Sequence, residues 1–162
     1  MTDACQKWVA RCLALHPIRG DVLEVGSLDV NGTPRYHFAD VQRFPSYVGI
    51  DMRDGPGVDR IMLANALEFP DAAFGVLVTT EMLEHDRRFW ESSREFSRVL
   101  KPGGHLIITT RGFHFDRHDF PSDYWRFSKE ALVEIMLSAG LKPLDSIEDE
   151  VDQGAFAIGV KA

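Results

Sequence analysis

Two acidic residues in the first third of the chain belong to short apolar runs. Glu24 lies in the run Val22–Val25, which Gly26 follows, and Asp51 closes the run Tyr47–Asp51. The glycine allows a sharp backbone turn after the first run, and a carboxylate at the end of the second run can accept hydrogen bonds from ribose hydroxyls. This spacing predicts two neighbouring strands whose ends bind a nucleoside.

The residues after the first run restrict the kind of nucleoside. A dinucleotide fingerprint has glycine at three positions, and Leu28 and Asn31 occupy the second and third positions here. Because a leucine side chain obstructs the approach of a pyrophosphate, NAD and FAD are disfavoured, and S-adenosylmethionine is the natural candidate. That cofactor needs an acid near its amino group, a close turn, a ribose carboxylate and a partly apolar adenine slot. The residues that answer these needs, in order, are Glu24, Gly26, Asp51 and the corner Asn65-Ala66-Leu67.

Hydrophobic periodicity predicts the elements that position these residues. Helical spacing favours a helix that ends at His16, a second helix over residues 89–100, and a third that Ser128 caps and Gly140 follows. Strand-like runs occur at residues 22–25, 47–51, 60–64, 75–80, 105–110, 141–147 and 155–160. This alternation predicts one α/β domain over residues 1–162, with three α/β/α layers and a mostly parallel sheet whose ligands lie beyond the carboxyl ends of the strands.

Composition and charge exclude several classes of function. The length of 162 residues and the hydrophobic content of 44% support one domain with a substantial core. The net charge of −7 makes nucleic acid an unlikely partner. No apolar run has the length of a membrane helix, and no signal sequence is evident, so we expect a soluble, cytoplasmic protein without membrane contacts. Cys5 and Cys12 are too far apart along one helix to pair, and are expected to pack.

The segment 111–127 is rich in histidine, aspartate and aromatic residues and follows the predicted fifth strand. At that end of the sheet it could cover an acceptor and supply a base, for which His118, Asp123 and His85 are candidates. A structural alternative is that Asp123 pairs with Arg126 and fixes the loop, and that His85 only lines or caps the site. The sequence leaves both interpretations open. It shows no clear metal-ligand spacing, so no metal site is expected.

Five segments, in order, resemble the motifs of class I S-adenosylmethionine-dependent methyltransferases, in particular a type 11-like subgroup; they are residues 22–32, 49–51, 64–66, 80–85 and 100–105. The resemblance implies a Rossmann-like fold with seven strands, the last antiparallel, and S-adenosylmethionine across the ends of the first two. The cofactor contacts it implies are Glu24, Gly26, Ser27, Leu28, Asp51, Met52, Asn65, Ala66, Leu67, Thr80, Glu81 and Leu83. The chain departs from the family at Leu28 and Val30, where glycines are usual, and at Gly75, where aspartate is usual.

We therefore expect an S-adenosylmethionine-dependent methyltransferase that acts on oxygen or nitrogen of a small-molecule or glycan-like acceptor. The departures at Leu28 and Gly75 motivate an alternative, a non-catalytic domain of this fold that serves as a partner-binding subunit. A nicotinamide oxidoreductase is the least favoured interpretation. Methylation of DNA amino groups is disfavoured because residues 79–82 lack the Asp/Asn-Pro-Pro-aromatic loop, and methylation of cytosine C5 because both cysteines lie in the first helix. The sequence carries no signal for an oligomeric state.

Overall fold

Seven strands form one sheet in the computed structural model, which describes residues 1–119 and 121–162. In chain order the strands are β1 (Val22–Val25), β2 (Tyr47–Asp51), β3 (Arg60–Ile61), β4 (Phe74–Thr80), β5 (Leu100–Arg111), β6 (Leu141–Asp149) and β7 (Gly154–Lys161). The α-helices are α1 (Asp3–Leu15), α2 (Phe89–Val99) and α3 (Lys129–Ser138), and short 3-10 turns occur at Arg35–Phe38 and Leu83–His85.

The strand order places the functional end of the sheet. The order is β3-β2-β1-β4-β5-β7-β6, in which β1 to β5 are parallel and β7 runs antiparallel between β5 and β6. This confirms the predicted α/β class and the Rossmann-like seven-stranded sheet with a reversed last hairpin. The direction of winding changes between β1 and β4, and the carboxyl ends of these strands form the crevice where such sheets bind ligands.

Helices cover both faces of the sheet, which gives the three predicted layers. Trp8 of α1 packs against Phe156 of β7 on one face, with ring centroids 6.1 Å apart. Phe96 of α2 and Leu132 of α3 belong to the core on the other face. Every residue of β4 is buried, as expected for a central parallel strand. Within the described part of the chain, none of the helices combines the length and the apolar character that a membrane crossing requires.

The predicted helix ends agree with the structure, whereas the predicted strands differ from it most at β3 and β5. The Ser128 hydroxyl accepts the Ala131 N–H at 3.1 Å and caps α3. The predicted strand at 60–64 is only the exposed pair Arg60–Ile61, because the Ala66 N–H donates to the Leu63 carbonyl and turns the chain away. Residues 101–104, which the sequence patterns leave between the second helix and the next strand, belong to β5, which begins directly after α2 and carries an irregularity opposite β4.

The departure at Gly75 has a packing reason. A Cβ atom there would lie 2.3 Å from the carbonyl oxygen of Arg19 and 3.0 Å from the Cα of Gly20. The Gly75 N–H also donates to the Asp21 carbonyl at 3.0 Å, which holds the chain before β1 against the start of β4. Aspartate does not fit this contact, so glycine stands where the family usually has an acid.

Candidate active site

A cavity of about 610 Å³ opens at the carboxyl ends of β1, β2 and β4. The predicted site residues that line it are Glu24, Gly26, Ser27, Leu28, Asp51, Met52, Asn65, Thr80, Glu81, His85 and His118. Four other predicted residues lie outside its lining: Leu67 and Leu83 are buried in the core, Ala66 is exposed, and the Asp123 carboxylate is buried beside Arg126. The two acids from neighbouring strands, Glu24 and Asp51, therefore share one cavity.

Glu24 contributes a buried carboxylate to the cavity wall. Glu24 is only 2% exposed, and one of its carboxylate oxygens accepts a hydrogen bond from the Tyr47 hydroxyl at 2.8 Å. Burial raises the pKa of Glu24 to about 7, and the Tyr47 hydrogen bond only partly opposes this shift. A cationic group that entered the cavity beside Glu24 would therefore stabilise its ionised form.

The turn after β1 is built around Gly26, whose φ angle is +82°. A Cβ atom at this position would lie 2.6 Å from the Met82 side chain, so glycine is required by both conformation and space. The N–H groups of Gly26 and Ser27 both donate to the Ile50 carbonyl at 2.9 Å. These bonds hold the turn against the end of β2.

Glycines on a neighbouring loop accommodate the departure at Leu28. A Cβ atom on Gly55 would lie 2.4 Å from Leu28 Cδ1, and one on Gly57 would lie 2.5 Å from the Ser27 carbonyl oxygen. The Asp29 N–H donates to the Pro56 carbonyl at 2.8 Å, so the two loops are packed together. Glycines after β2 thus make room for the Leu28 side chain and for the backbone after β1.

Asp51 and Asn65, which both line the cavity, are oriented by hydrogen bonds. The Asp51 carboxylate accepts the Arg53 N–H at 3.0 Å and the Leu28 N–H at 3.4 Å. The side-chain amide of Asn65 donates to the Glu91 carboxylate at 3.1 Å. Apolar lining that the sequence analysis missed lies next to Asn65 and consists of Met62, Leu63 and Ala64.

Charged side chains form a buried group behind the end of β4. Glu81 has a φ angle of +55°, which is uncommon for a residue with a side chain, and its carboxylate lies 2.5 Å from Arg111 Nε. Arg111 was missed by the sequence analysis, since only the fold brings the end of β5 beside the end of β4. Glu84 is fully buried, and its carboxylate accepts no hydrogen bond from another of the described residues. Burial, and then the charge of Glu81, raise the pKa of Glu84 well above its usual value.

Two imidazoles line the cavity beside this group. The rings of His85 and His118 have centroids 4.7 Å apart. His85 Nδ1 lies 2.6 Å from the Ser122 carbonyl oxygen, and His118 Nδ1 lies 3.5 Å from the Asp123 carboxylate. Burial, and then the proximity of His85, lower the pKa of His118, so this imidazole is neutral at neutral pH. Atoms of Glu84, His85 and His118 that could ligate a metal lie within 4.8 Å of one another, although no metal site was expected from the residue spacing.

Asp123 takes part in the pairing that the sequence left open. Its carboxylate lies 2.5 and 2.6 Å from the two terminal nitrogens of Arg126, and it also accepts the His118 backbone N–H at 2.8 Å. The Arg126 guanidinium holds the pKa of Asp123 far below its usual range. Since such a carboxylate is a weak proton acceptor, the geometry favours a positioning role. Phe120, in the same segment, lies outside the described residues.

Residues 23–108 match the family model described as a methyltransferase domain, which is more than half of the chain. The chain therefore belongs to this family of S-adenosylmethionine-dependent methyltransferases. Family membership confirms the recognition made from the motifs and the predicted cofactor, S-adenosylmethionine. A comparison with curated protein sequences gives no match.

Solved structures of similar fold include proteins with different activities. The Burkholderia thailandensis 1,6-didemethyltoxoflavin-N1-methyltransferase is 15% identical with a TM-score of 0.77, over 99% of this chain and 79% of that one. An S-adenosylmethionine-dependent methyltransferase from Mesorhizobium loti is 12% identical with a TM-score of 0.73, over 96% of this chain and 98% of that one. The [4+2]-cyclase SpnF is 20% identical with a TM-score of 0.74, over 98% and 80%. At these identities the likeness concerns the fold.

Proposed function

We propose that residues 1–162 act as a single methyltransferase domain that methylates oxygen or nitrogen of a small-molecule or glycan-like acceptor. The observation that carries the proposal is that Glu24 and Asp51, from adjacent parallel strands, line one cavity at the point where the strand order reverses. The proposed location is the cytoplasm, as predicted from the sequence. A net charge of −7 favours an acceptor other than nucleic acid.

The cavity residues fit the parts of S-adenosylmethionine. The buried Glu24 carboxylate suits the amino group, because it lacks a cationic partner at hydrogen-bond distance among the described residues. Asp51 suits the ribose, while Asn65 presents its amide beside the apolar side chains of Met62 and Leu63, as an adenine slot requires. The other proposed contacts are Gly26, Ser27, Leu28, Met52, Ala66, Thr80 and Glu81, and the buried side chains of Leu67 and Leu83 would support the wall from the core.

The acceptor side of the cavity is defined by His85 and His118. When bound, S-adenosylmethionine supplies an activated methyl group, so the chain must mainly align the acceptor and remove its proton. A neutral His118 can accept that proton in the metal-free protein. Asp123 positions His118 by accepting its backbone N–H, and the Ser122 carbonyl orients His85. The part of the lining that would surround a small acceptor includes Arg87, Arg88 and Tyr124. The small-molecule substrate named for the structurally similar Burkholderia enzyme supports an acceptor of this size.

Calorimetry with S-adenosylhomocysteine tests the cofactor site. Asp51→Asn removes a charged hydrogen-bond acceptor and should weaken binding by about 10- to 100-fold, which corresponds to about 1.5–3 kcal/mol. Asp54→Asn is the matched control, because Asp54 is an exposed neighbour outside the cavity lining, and it should leave binding unchanged. A folded wild-type protein that takes up neither the donor nor its demethylated product would overturn the proposal.

A second candidate, a non-catalytic partner-binding subunit, is favoured by apolar surface next to the cavity. Trp90 and Trp125 are 45% and 36% exposed, with ring centroids 6.4 Å apart, and exposed aromatic pairs of this kind occur at protein interfaces. Cofactor uptake together with release of S-adenosylhomocysteine in the presence of a small acceptor would exclude this candidate. Uptake with no turnover over a broad acceptor panel would favour it.

A further inference from the structure

Three side chains with metal-binding atoms converge at the wall of the cavity. Glu84 and His85 belong to the 3-10 turn after β4, and His118 belongs to the segment after β5. Their candidate ligand atoms lie within 4.8 Å of one another. Two imidazole nitrogens and a carboxylate oxygen form a set that suits Zn²⁺ and other divalent first-row transition metals.

The Glu84 carboxylate needs a partner that the neighbouring side chains do not supply. It is fully buried and accepts no hydrogen bond from other residues within the described ranges, whereas buried carboxylates are normally paired, hydrogen-bonded or bound to a metal. Nearby Arg111 is already paired with Glu81. The backbone at Glu84 is also fixed, because its carbonyl accepts the N–H groups of Tyr124 at 2.8 Å and Trp125 at 3.2 Å. A cation between Glu84 and the two imidazoles would satisfy this carboxylate.

In both histidines the Nδ1 atom faces a backbone carbonyl or a carboxylate, as is usual for the second nitrogen of a metal-binding imidazole. A carbonyl oxygen can only accept, so the 2.6 Å contact with Ser122 requires the proton on His85 Nδ1 and leaves the Nε2 lone pair available. The Nδ1 atom of His118 faces the Asp123 carboxylate at 3.5 Å. Metal-ligating histidines usually direct their second nitrogen to a carbonyl or a carboxylate in this way, which fixes the ring orientation.

We propose that Glu84, His85 and His118 bind one divalent transition-metal ion, with Zn²⁺ as the best match, and that its fourth position faces the cavity. Ligand atoms about 2.1 Å from a tetrahedral ion are about 3.4 Å apart, so the three side chains must move together by roughly 1 Å. The shift requires only small changes of the side-chain torsion angles.

The role of the ion, unlike its binding, rests on the proposed function. An acceptor hydroxyl that occupied the fourth position would have its pKa lowered by the ion, and its proton would leave to bulk water. In this metal-bound form His118 is a ligand, and the ion replaces it as the group that activates the acceptor.

The test uses the whole chain after removal of metal with a chelator, with no donor or acceptor present. Zn²⁺ is titrated by calorimetry, and Co²⁺ is titrated by visible absorption, which reports the coordination geometry of the ion. We expect the wild type to bind one ion per chain. In Glu84→Gln and in His118→Ala the affinity for the ion should fall by about 100-fold or more, since loss of a ligand costs at least as much as loss of a group that hydrogen-bonds to a ligand. His114→Ala, an exposed histidine in the same segment but outside the cluster, is the control and should bind as the wild type does.

The inference is overturned if the wild type binds no stoichiometric ion, or if Glu84→Gln and His118→Ala retain wild-type affinity. Circular dichroism checks folding, and His85→Ala replaces either variant that does not fold. Uptake of S-adenosylhomocysteine, measured on the same preparation, separates this inference from the proposed function. Uptake of S-adenosylhomocysteine without metal binding overturns only the metal site, and metal binding without that uptake overturns only the methyltransferase proposal.

Discussion

At the scale of single residues, the ionised form of Glu24 is poorly stabilised in the ligand-free protein. Its carboxylate has a hydrogen bond from Tyr47 but is almost wholly removed from water, and its pKa is about 7. Near neutral pH a substantial fraction of the ligand-free protein therefore carries a proton on Glu24. A ligand ammonium beside this residue would favour the ionised form, so ligand binding and proton release are linked.

This linkage can be measured directly. Slightly below pH 7, binding of S-adenosylhomocysteine should release a proton from Glu24, and the heat of binding should vary with the ionisation enthalpy of the buffer. In Glu24→Gln the proton release should disappear and binding should weaken about tenfold or more, since a charged hydrogen bond is lost. Glu68→Gln, an exposed acid outside the cavity lining, should behave as the wild type does. Equal proton release in Glu24→Gln would show that another group titrates.

At the scale of elements, one arginine fixes the segment that carries His118. Arg126 pairs with both oxygens of Asp123 and also donates to the carbonyls of Phe115 at 3.0 Å and Asp116 at 2.9 Å. A guanidinium can make these contacts at once because its donors diverge in one plane, which a lysine ammonium cannot reproduce. The position of His118 in the cavity thus depends on a side chain that lies outside its lining.

Arg126→Lys should consequently loosen the segment and affect catalysis more than donor binding. The Asp123 side chain is only 1% exposed, so the loss of charged hydrogen bonds that lysine cannot make should lower the free energy of unfolding by about 1.5–3 kcal/mol. We expect a lower kcat, with an unchanged Kd for S-adenosylhomocysteine, and faster hydrogen exchange at His118. In the control Arg117→Lys, the Arg117 side chain is 77% exposed and its pair with Asp119 should contribute less than about 1 kcal/mol. Equal effects of the two variants would contradict the special role of Arg126.

The elements also show what sequence patterns can predict. Strands β1, β2 and β4 were found within one residue of their ends, because apolar runs and glycine turns are local signals. The length of β3 was not predicted correctly, since this strand pairs only with Ile50 and Asp51 of β2. Acids at strand ends, such as Asp51, were located by the same local signals. The buried state of Glu84 and its proximity to His118 depend on packing between distant segments, which no local pattern encodes.

At the scale of the whole molecule, folding buries the acidic side chains of Glu24 and Glu84 near the carboxyl ends of the strands. This burial should make the free energy of unfolding depend on pH. The pKa of Glu24 is raised from 4.5 to about 7 on folding, and the pKa of Glu84 is raised as well. Between these values the two carboxyl groups bind more protons in the folded chain than in the unfolded chain, whereas burial lowers the pKa values of His37, His105 and His118 and gives these histidines the opposite effect. The contribution of Glu24 and Glu84 to the free energy of unfolding must therefore fall as the pH rises through this window.

Urea unfolding of the ligand-free wild type and of Glu24→Gln at several values from about pH 5 to about pH 8 should show the Glu24 contribution as the difference between the two proteins. Glu24 alone would contribute up to about 3 kcal/mol, from roughly 1.4 kcal/mol for each unit by which its pKa is raised. Glu24→Gln should lack this contribution and be the more stable protein at the alkaline end, because glutamine has no charge to desolvate. Saturating S-adenosylhomocysteine should restore much of the loss in the wild type, since a ligand at 100 times its Kd adds about 2.7 kcal/mol. Parallel curves for the wild type and Glu24→Gln would instead mean that Glu24 is solvated in the ligand-free protein, and its assignment to the cofactor amino group would lose its physical basis.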